Sequence, residues 1–182
     1  MNIFYLDHDP IKCAEMHVDK HCVKMILEYA QLLSTAHRVL DGTISVGLSK
    51  SGRKRKQYFL GDERDQVLYS ATHINHPSAI WVRKSDQNYM WLAELLERLC
   101  GEYTYRYGKI HKTERDGLMQ FLKNNFPKNI AWDKFTEPTP AMPEQYKIPG
   151  DSITSYKNYY LGEKSHMFVW KNRQTPTFIA AT

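Results

Sequence analysis

Between Asp9-Pro10 and Asp41-Gly42 the chain repeats apolar residues at helical spacing: Val18, Cys22, Met25, Ile26, Tyr29, Leu32, Leu33, Ala36 and Leu40. At about 3.6 residues per turn these positions form one broad apolar face. Asp9 is an N-cap residue, Pro10 suits the first helical position, and Asp41-Gly42 is a stop. A face this wide must be covered by other elements. It therefore predicts a helical core around a first helix running from Pro10 to Leu40.

The rest of the chain supplies the cover. Tyr89, Leu92, Leu95, Leu96, Leu99 and Tyr103 predict a second helix over 85–107, ended by Gly108. A shorter helix is expected over 113–123. Another, capped by Asp151, carries Tyr156, Tyr159 and Tyr160, and 164–170 adds a helical turn or two. Asn2 to Leu6 is a short apolar strand or extended arm. Residues 43–57 contain glycine and serine and then Lys50, Arg53, Lys54, Arg55 and Lys56, which predicts a loop, either solvated or contacting phosphate. Most of the prolines lie in 127–150, an ordered loop wrapping the surface. With 182 residues and no internal repeat, the expectation is mainly α: a single compact helical domain, 1–182, with a short N-terminal extended segment and a long Pro-rich loop.

Composition narrows the classes. Hydrophobic residues make up 42%, which excludes a disordered chain. No apolar run reaches a membrane span and no secretory signal opens the sequence, so no membrane partner is expected. Cys13, Cys22 and Cys100 are odd in number and lack metal-like spacing, which fits reduced thiols and a cytoplasmic protein, in the host cell cytoplasm if phage-encoded. The charge of +5 and the 12 tyrosines point to nucleic acid, DNA favoured, or a nucleotide as the partner. Oligomeric state is not legible.

Reactive side chains crowd the start of the first helix. On a continuous helix His17, Lys20, His21, Lys24, Glu28 and Gln31 share a polar stripe, while Asp19 falls among Val18, Cys22, Val23, Ile26 and Leu27. Histidine shuttles protons near neutrality, and a lysine beside other cations sheds its proton to become a nucleophile. Lys20, Lys24, His17, Asp19, His21 and Glu28 are thus the candidate catalytic residues. The same residues also fit a solvated face with a Lys24–Glu28 ion pair. His17 and His21 have the spacing of helical metal ligands, but Val18 stands where a zinc protease needs glutamate, and neither a metal nor a cofactor is expected.

The remaining candidates bind substrate. His73-Ile74-Asn75-His76-Pro77 is a turn before a helix, with Asn75 and His76 placed to hold a phosphate or a base edge. Arg83, Lys84 and Arg106 are candidate phosphate contacts. Tyr156, Tyr159, Tyr160 and Lys164 suit a displaced base and its backbone.

Two stretches resemble the phage-type pyrimidine-dimer DNA glycosylases with AP-lyase activity. Ala14-Glu15-Met16-His17 and the helix after it resemble that family's junction between an N-terminal arm and a catalytic helix. Tyr156-Lys157-Asn158-Tyr159-Tyr160 with Gly162 and Lys164 resembles its C-terminal damage-contacting segment. The N-terminal pattern also resembles small proteins of tailed phages. The family attacks the sugar C1′ with a free α-amine exposed by methionine removal. Asn2 is bulky enough to keep Met1 in place, and the position aligned with the family's catalytic glutamate is Lys24, with Glu28 one turn beyond.

These readings make the expected function a DNA-processing enzyme, a base-excision DNA glycosylase/lyase acting on damaged or modified pyrimidines. The alternatives are a hydrolase or transferase acting on a nucleotide or modified base, with His17, Asp19, His21, Asn75 and His76 in one pocket, and a non-enzymatic phage protein that binds nucleic acid or blocks a host factor.

Overall fold

The expected helix over 10–40 is two helices, and its apolar face, from Val18 to Ala36, is buried along the second. The computed structural model describes residues 1–180, the side chain of Ala180 excepted. In chain order its elements are α1 (Pro10–Met16), α2 (Asp19–Asp41), β1 (Thr43–Leu48), β2 (Lys54–Phe59), α3 (Arg64–Val67), α4 (Pro77–Val82), α5 (Asp86–Tyr107), α6 (Lys112–Arg115), α7 (Leu118–Asn124), α8 (Ser152–Glu163) and α9 (Thr177–Ala180). Short 3-10 turns lie at Glu144–Tyr146 and Ser165–Met167. The fold is mainly α, and no helix among the described residues is long and apolar enough to cross a membrane.

The break between α1 and α2 corrects the expected single helix. His17 and Val18 are extended, with ψ of 129° and 156°. Neither is a helix breaker, so the interruption is held from outside. Arg106 donates to the carbonyls of Glu15 (3.0 Å) and His17 (2.7 Å). The Trp170 indole donates to the Met16 carbonyl at 2.9 Å, and the Asp19 amide donates to the Val169 carbonyl at 2.9 Å. Groups far along the chain thus satisfy the backbone at the gap.

Elsewhere the local signals hold. The Asp9 carboxylate accepts from the Ile11 amide at 2.9 Å and caps α1. Ser85 caps α5, accepting from the Asn88 amide at 3.1 Å, and Gly108 closes it in the left-handed region at φ 66°. The 113–123 segment is divided by Gly117, also left-handed at φ 87°, into α6 and α7. α5 packs against α1, α2, α4 and α7, and Leu32, Leu33, Leu92, Leu95, Leu96 and Leu99 lie fully buried at the centre.

Residues 43–57, expected as a loop, belong to an antiparallel hairpin. β1 pairs with β2 from Thr43↔Phe59 to Leu48↔Lys54. The turn closes with the Ser49 amide on the Arg53 carbonyl at 2.8 Å, with Gly52 at φ 75°. The Pro-rich stretch is ordered by α4 and α5: Asp86 accepts from the Asp133 amide at 2.9 Å, and the Trp81 indole donates to the Thr136 carbonyl at 2.9 Å.

The first residues form an extended arm, with Ile3, Phe4, Tyr5 and Leu6 buried. Cys13 Sγ donates to the Phe4 carbonyl at 3.2 Å, and the Trp91 indole donates to the His8 carbonyl at 2.9 Å. The Phe4 amide donates to the Tyr29 hydroxyl at 3.2 Å, which lies 2.7 Å from His17 Nε2. His17 Nδ1 lies 2.7 Å from the Cys13 carbonyl. A carbonyl only accepts, so Nδ1 carries the proton and Nε2 accepts from Tyr29.

Candidate active site

The buried arm lays the chain's first residue over the middle of α2. The Met1 amine sits 3.0 Å from Glu28 Oε2, with the Met1 side chain 9% and the Glu28 side chain 15% exposed. Lys24 Nζ lies 3.4 Å from the other Glu28 oxygen but remains 69% exposed. Glu28 therefore holds two cations, one enclosed and one reaching into solvent.

A second wall comes from residues 69–76, which run along α2. Arg38 Nε donates to the Tyr69 carbonyl at 2.6 Å, and the Thr72 amide donates to the Thr35 hydroxyl at 3.2 Å. The segment ends in a turn in which the His76 amide donates to the His73 carbonyl at 2.9 Å. His73 adopts φ 48°, a left-handed conformation uncommon outside glycine. Arg83 donates to the Ile74 carbonyl at 2.7 Å and holds the turn. His76 Nδ1 accepts from the Ser78 amide at 3.1 Å and caps α4, so the neutral ring carries its proton on Nε2.

Burial lowers the His76 pKa, the Met1 ammonium and His73 lower it further, and Glu28 opposes them. His76 is thus a neighbour of the Met1–Glu28 pair. His21 stands on another side. Its ring stacks on Phe4 with centroids 4.1 Å apart, and its Nδ1 lies 2.7 Å from the Tyr160 hydroxyl. Burial first, then the charges of His17, Lys164, Lys24 and the Met1 amine, push it down to about 3. Both rings are therefore disposed to be neutral near pH 7, and as bases they are weakened, His21 the more strongly. Lys164 lies over the Tyr159 ring at 5.1 Å and completes the polar rim. The Met1 amine, His21, Lys24, Glu28, His73, His76 and Lys164 thus form one electrostatically linked cluster, in direct contact at Met1–Glu28 and Lys24–Glu28.

The other end of the expected stripe is a separate structure. Arg106 is fully buried and donates to Glu102 (2.9 Å) and Asp19 (3.0 Å) as well as to the two carbonyls at the helix break. Glu102 also accepts from Arg173 at 2.9 and 3.0 Å. Its carboxyl is held below the usual range because the arginine hydrogen bonds outweigh burial, the largest single influence and the opposing one. Asp19 accepts from the Lys171 amide at 2.9 Å. It lies within the network that pins the α1–α2 break, and among the described residues its partners do not include His76.

Several expected placements are corrected by burial. Arg106, a candidate phosphate contact, has its guanidinium committed inside the protein. Tyr156 and Tyr160, candidate base supports, are fully buried. Four residues apart on α8, they share the core-facing side. Tyr156 donates to the Thr139 carbonyl at 3.1 Å, and burial pushes its hydroxyl well above the usual range. Tyr159 faces outward enough to be only half-buried. His17 leaves the stripe for the core, where burial lowers it to about 4. Lys20, Asn75 and Lys84 are exposed, and Arg83 is half-buried against the 73–76 turn.

His17 and His21 point to different partners. Among the described residues no group of three or more His, Cys, Asp or Glu is arranged to hold a metal. The buried Cys13, Cys22 and Cys100 are each raised to about 12 by burial, the opposite of what a reactive thiolate needs. Sequence reasoning left Met1, Phe4 and His73 out of the site. The signal for them was the apolar run Ile3-Phe4-Tyr5-Leu6, whose burial carries the chain's first residue inward.

Comparison with known proteins yields no match among family models, curated proteins or solved structures.

Proposed function

We propose that this protein is a DNA-processing enzyme of the base-excision type, a glycosylase/lyase acting on damaged or modified pyrimidines, with the Met1 α-amine as its nucleophile. The observation that carries the reading is the enclosed Met1–Glu28 pair at 3.0 Å, flanked by two histidines with lowered pKa. An amine attacks only after losing a proton, and Glu28 is in place to accept it. Lys24 and Lys20 are the lesser candidates, since one is mostly solvated and the other fully outside the cluster.

In the proposed reaction the amine nitrogen forms a bond to C1′. The C1′–N bond to the base breaks, and its electron pair leaves with the base, which takes up a proton. The sugar ring opens to a Schiff base. Loss of a C2′ proton then expels the 3′ phosphate by β-elimination, and water releases the amine. His21 and His76, both disposed to be neutral and both influenced by the Met1 charge, are the histidines available for these proton movements. Lys24 and Lys164 offer charge to flanking phosphates, and Tyr159 offers the one ring of its segment that a displaced base could reach.

Borohydride added to the protein on DNA with an abasic site tests the reading. The expected result is a covalent complex whose mass maps to the Met1 peptide. Chains acetylated at Met1, or extended ahead of it, lose the complex, while Lys20→Ala and Lys24→Ala keep it. Absence of any complex with the unmodified chain overturns the amine mechanism.

A further inference from the structure

We propose that the β1–β2 hairpin docks the protein onto duplex DNA, entering the major groove as a two-stranded ribbon. The proposal rests on the nucleic-acid reading above and adds the surface that would hold the duplex.

Charge distribution is the first support. Between Gly42 and Gly61 the chain carries Lys50, Arg53, Lys54, Arg55 and Lys56 and no acid. These five cations equal the whole formal charge of +5, so acids and bases balance over the remainder. All five are exposed, and among the described residues none is in an ion pair. Arg38, Arg64 and Arg106, by contrast, are each paired with a carboxylate in the body of the fold.

Strand register is the second. Directly paired residues share a face, so Ile44 with Tyr58, Val46 with Lys56 and Leu48 with Lys54 form one side. Ile44, Val46 and Leu48 are 54%, 69% and 67% exposed. Arg55 stands on the opposite side, across from Gly47. The ribbon therefore presents an apolar row beside lysines on one face and an arginine on the other. Apolar side chains contact thymine methyl groups in the major groove, and cations contact the phosphates along its edges.

Shape and position select the partner. A two-stranded ribbon fits a B-DNA major groove about 12 Å wide, whereas the major groove of duplex RNA is too deep and narrow. A lone hairpin is marginal in water. This one is gripped at its base, where Arg38 donates to the Tyr58 carbonyl at 2.8 Å and Asp65 accepts from the amides of Leu60 (3.0 Å) and Gly61 (2.8 Å). Arg38 lies on α2 on the order of 15 Å beyond Glu28 at the rise of an α-helix. A duplex on the hairpin thus has nucleotides within about half a helical turn of the Met1 cluster.

The test compares the full chain with a variant carrying R53Q, K54Q, R55Q and K56Q, by fluorescence anisotropy on a duplex oligonucleotide over a salt series. Each lost phosphate contact lowers the slope of log K against log salt by about 0.9, so the four lost cations are expected to lower it by about 3.6, with unchanged thermal unfolding. A second variant, V46S with L48S, is expected to weaken duplex binding while keeping the slope. Retention of wild-type affinity and slope by the four-site variant overturns the proposal. So does stronger binding by the hairpin to duplex RNA or to phosphatidylserine vesicles than to duplex DNA. The Met1-acetylated chain separates this inference from the catalytic one: it is expected to lose borohydride trapping and keep the full salt slope.

Discussion

Two polar clusters lie along α2, and they differ in what each leaves unspent. At the helix start, Arg106 satisfies two carbonyls and two carboxylates, and Arg173 fills the rest of Glu102. The charges there are closed on one another and hold the break between α1 and α2. Nine residues further on, Glu28 holds an amine and a solvated lysine, within the electrostatic reach of two histidines. Arginines and carboxylates close the first cluster, whereas the second combines an amine, lysines and histidines around a single glutamate. Proximity of histidine, lysine and acid is therefore a weak sign of chemistry, and incomplete pairing next to solvent is a better one.

The contrast breaks most strongly at Arg106. Arg106→Met leaves Glu102 and Asp19 buried or half-buried without their partner, and removing one member of a buried pair costs about 3–5 kcal/mol. Chemical denaturation is expected to register that loss, with borohydride trapping per folded molecule unchanged. An equal loss of trapping would merge the two clusters into one site.

Glu28→Gln is the converse. It is expected to slow trapping on the order of 100-fold, the low end for a positioned acid–base group. A stability loss of about 1–3 kcal/mol accompanies it, because the Met1 ammonium loses its carboxylate in a largely enclosed pair. A destabilised variant that traps at the wild-type rate would make Glu28 a mere anchor for the arm.

Acid sharpens the difference more gently. His17 and His37 sit at about 4 and His21 at about 3, against an ordinary value near 6.5. Between those limits the unfolded chain binds more protons than the folded one, so stability rises with pH through this window. It is fully present above about 6.5 and is lost as pH falls towards 4. One pKa unit is worth about 1.4 kcal/mol, and unfolding free energies from denaturant titrations at pH 7 and pH 5 should differ by at least that, with the midpoint lower at pH 5. Equal midpoints would mean that these rings are not neutral and enclosed.

How far the sequence reached follows from where each signal lies. α5 was legible because its periodicity, Ser85 cap and Gly108 stop are all local. The α1–α2 break was not, because its causes are Arg106, Val169 and Trp170. That one break moved His17 out of the stripe into the core, and Asp19, outside the stripe from the start, joined the arginine network. The hairpin was hidden because Ile44, Val46 and Leu48 alternate among glycine and serine and face solvent rather than a core. Tyr156 and Tyr160 looked like Tyr159 until the helix phase set them on the inner side. The amine of Met1 had no side-chain signature at all, and only the apolar arm behind it announced where it would go.

The arm also sets an order on folding. Phe4 packs against Tyr156, Tyr159 and Tyr160, and Val18 bonds the Tyr160 hydroxyl. The earliest residues of the described chain find partners in Cys13, Tyr29 and Trp91, but complete their packing only when nearly its last helix is in place. Closing so long a loop is paid before its contacts form, which slows folding relative to a bundle of local hairpins. During synthesis the groove for the arm stands open until α8 emerges, and the Met1 cluster is assembled only when the two ends of the fold meet.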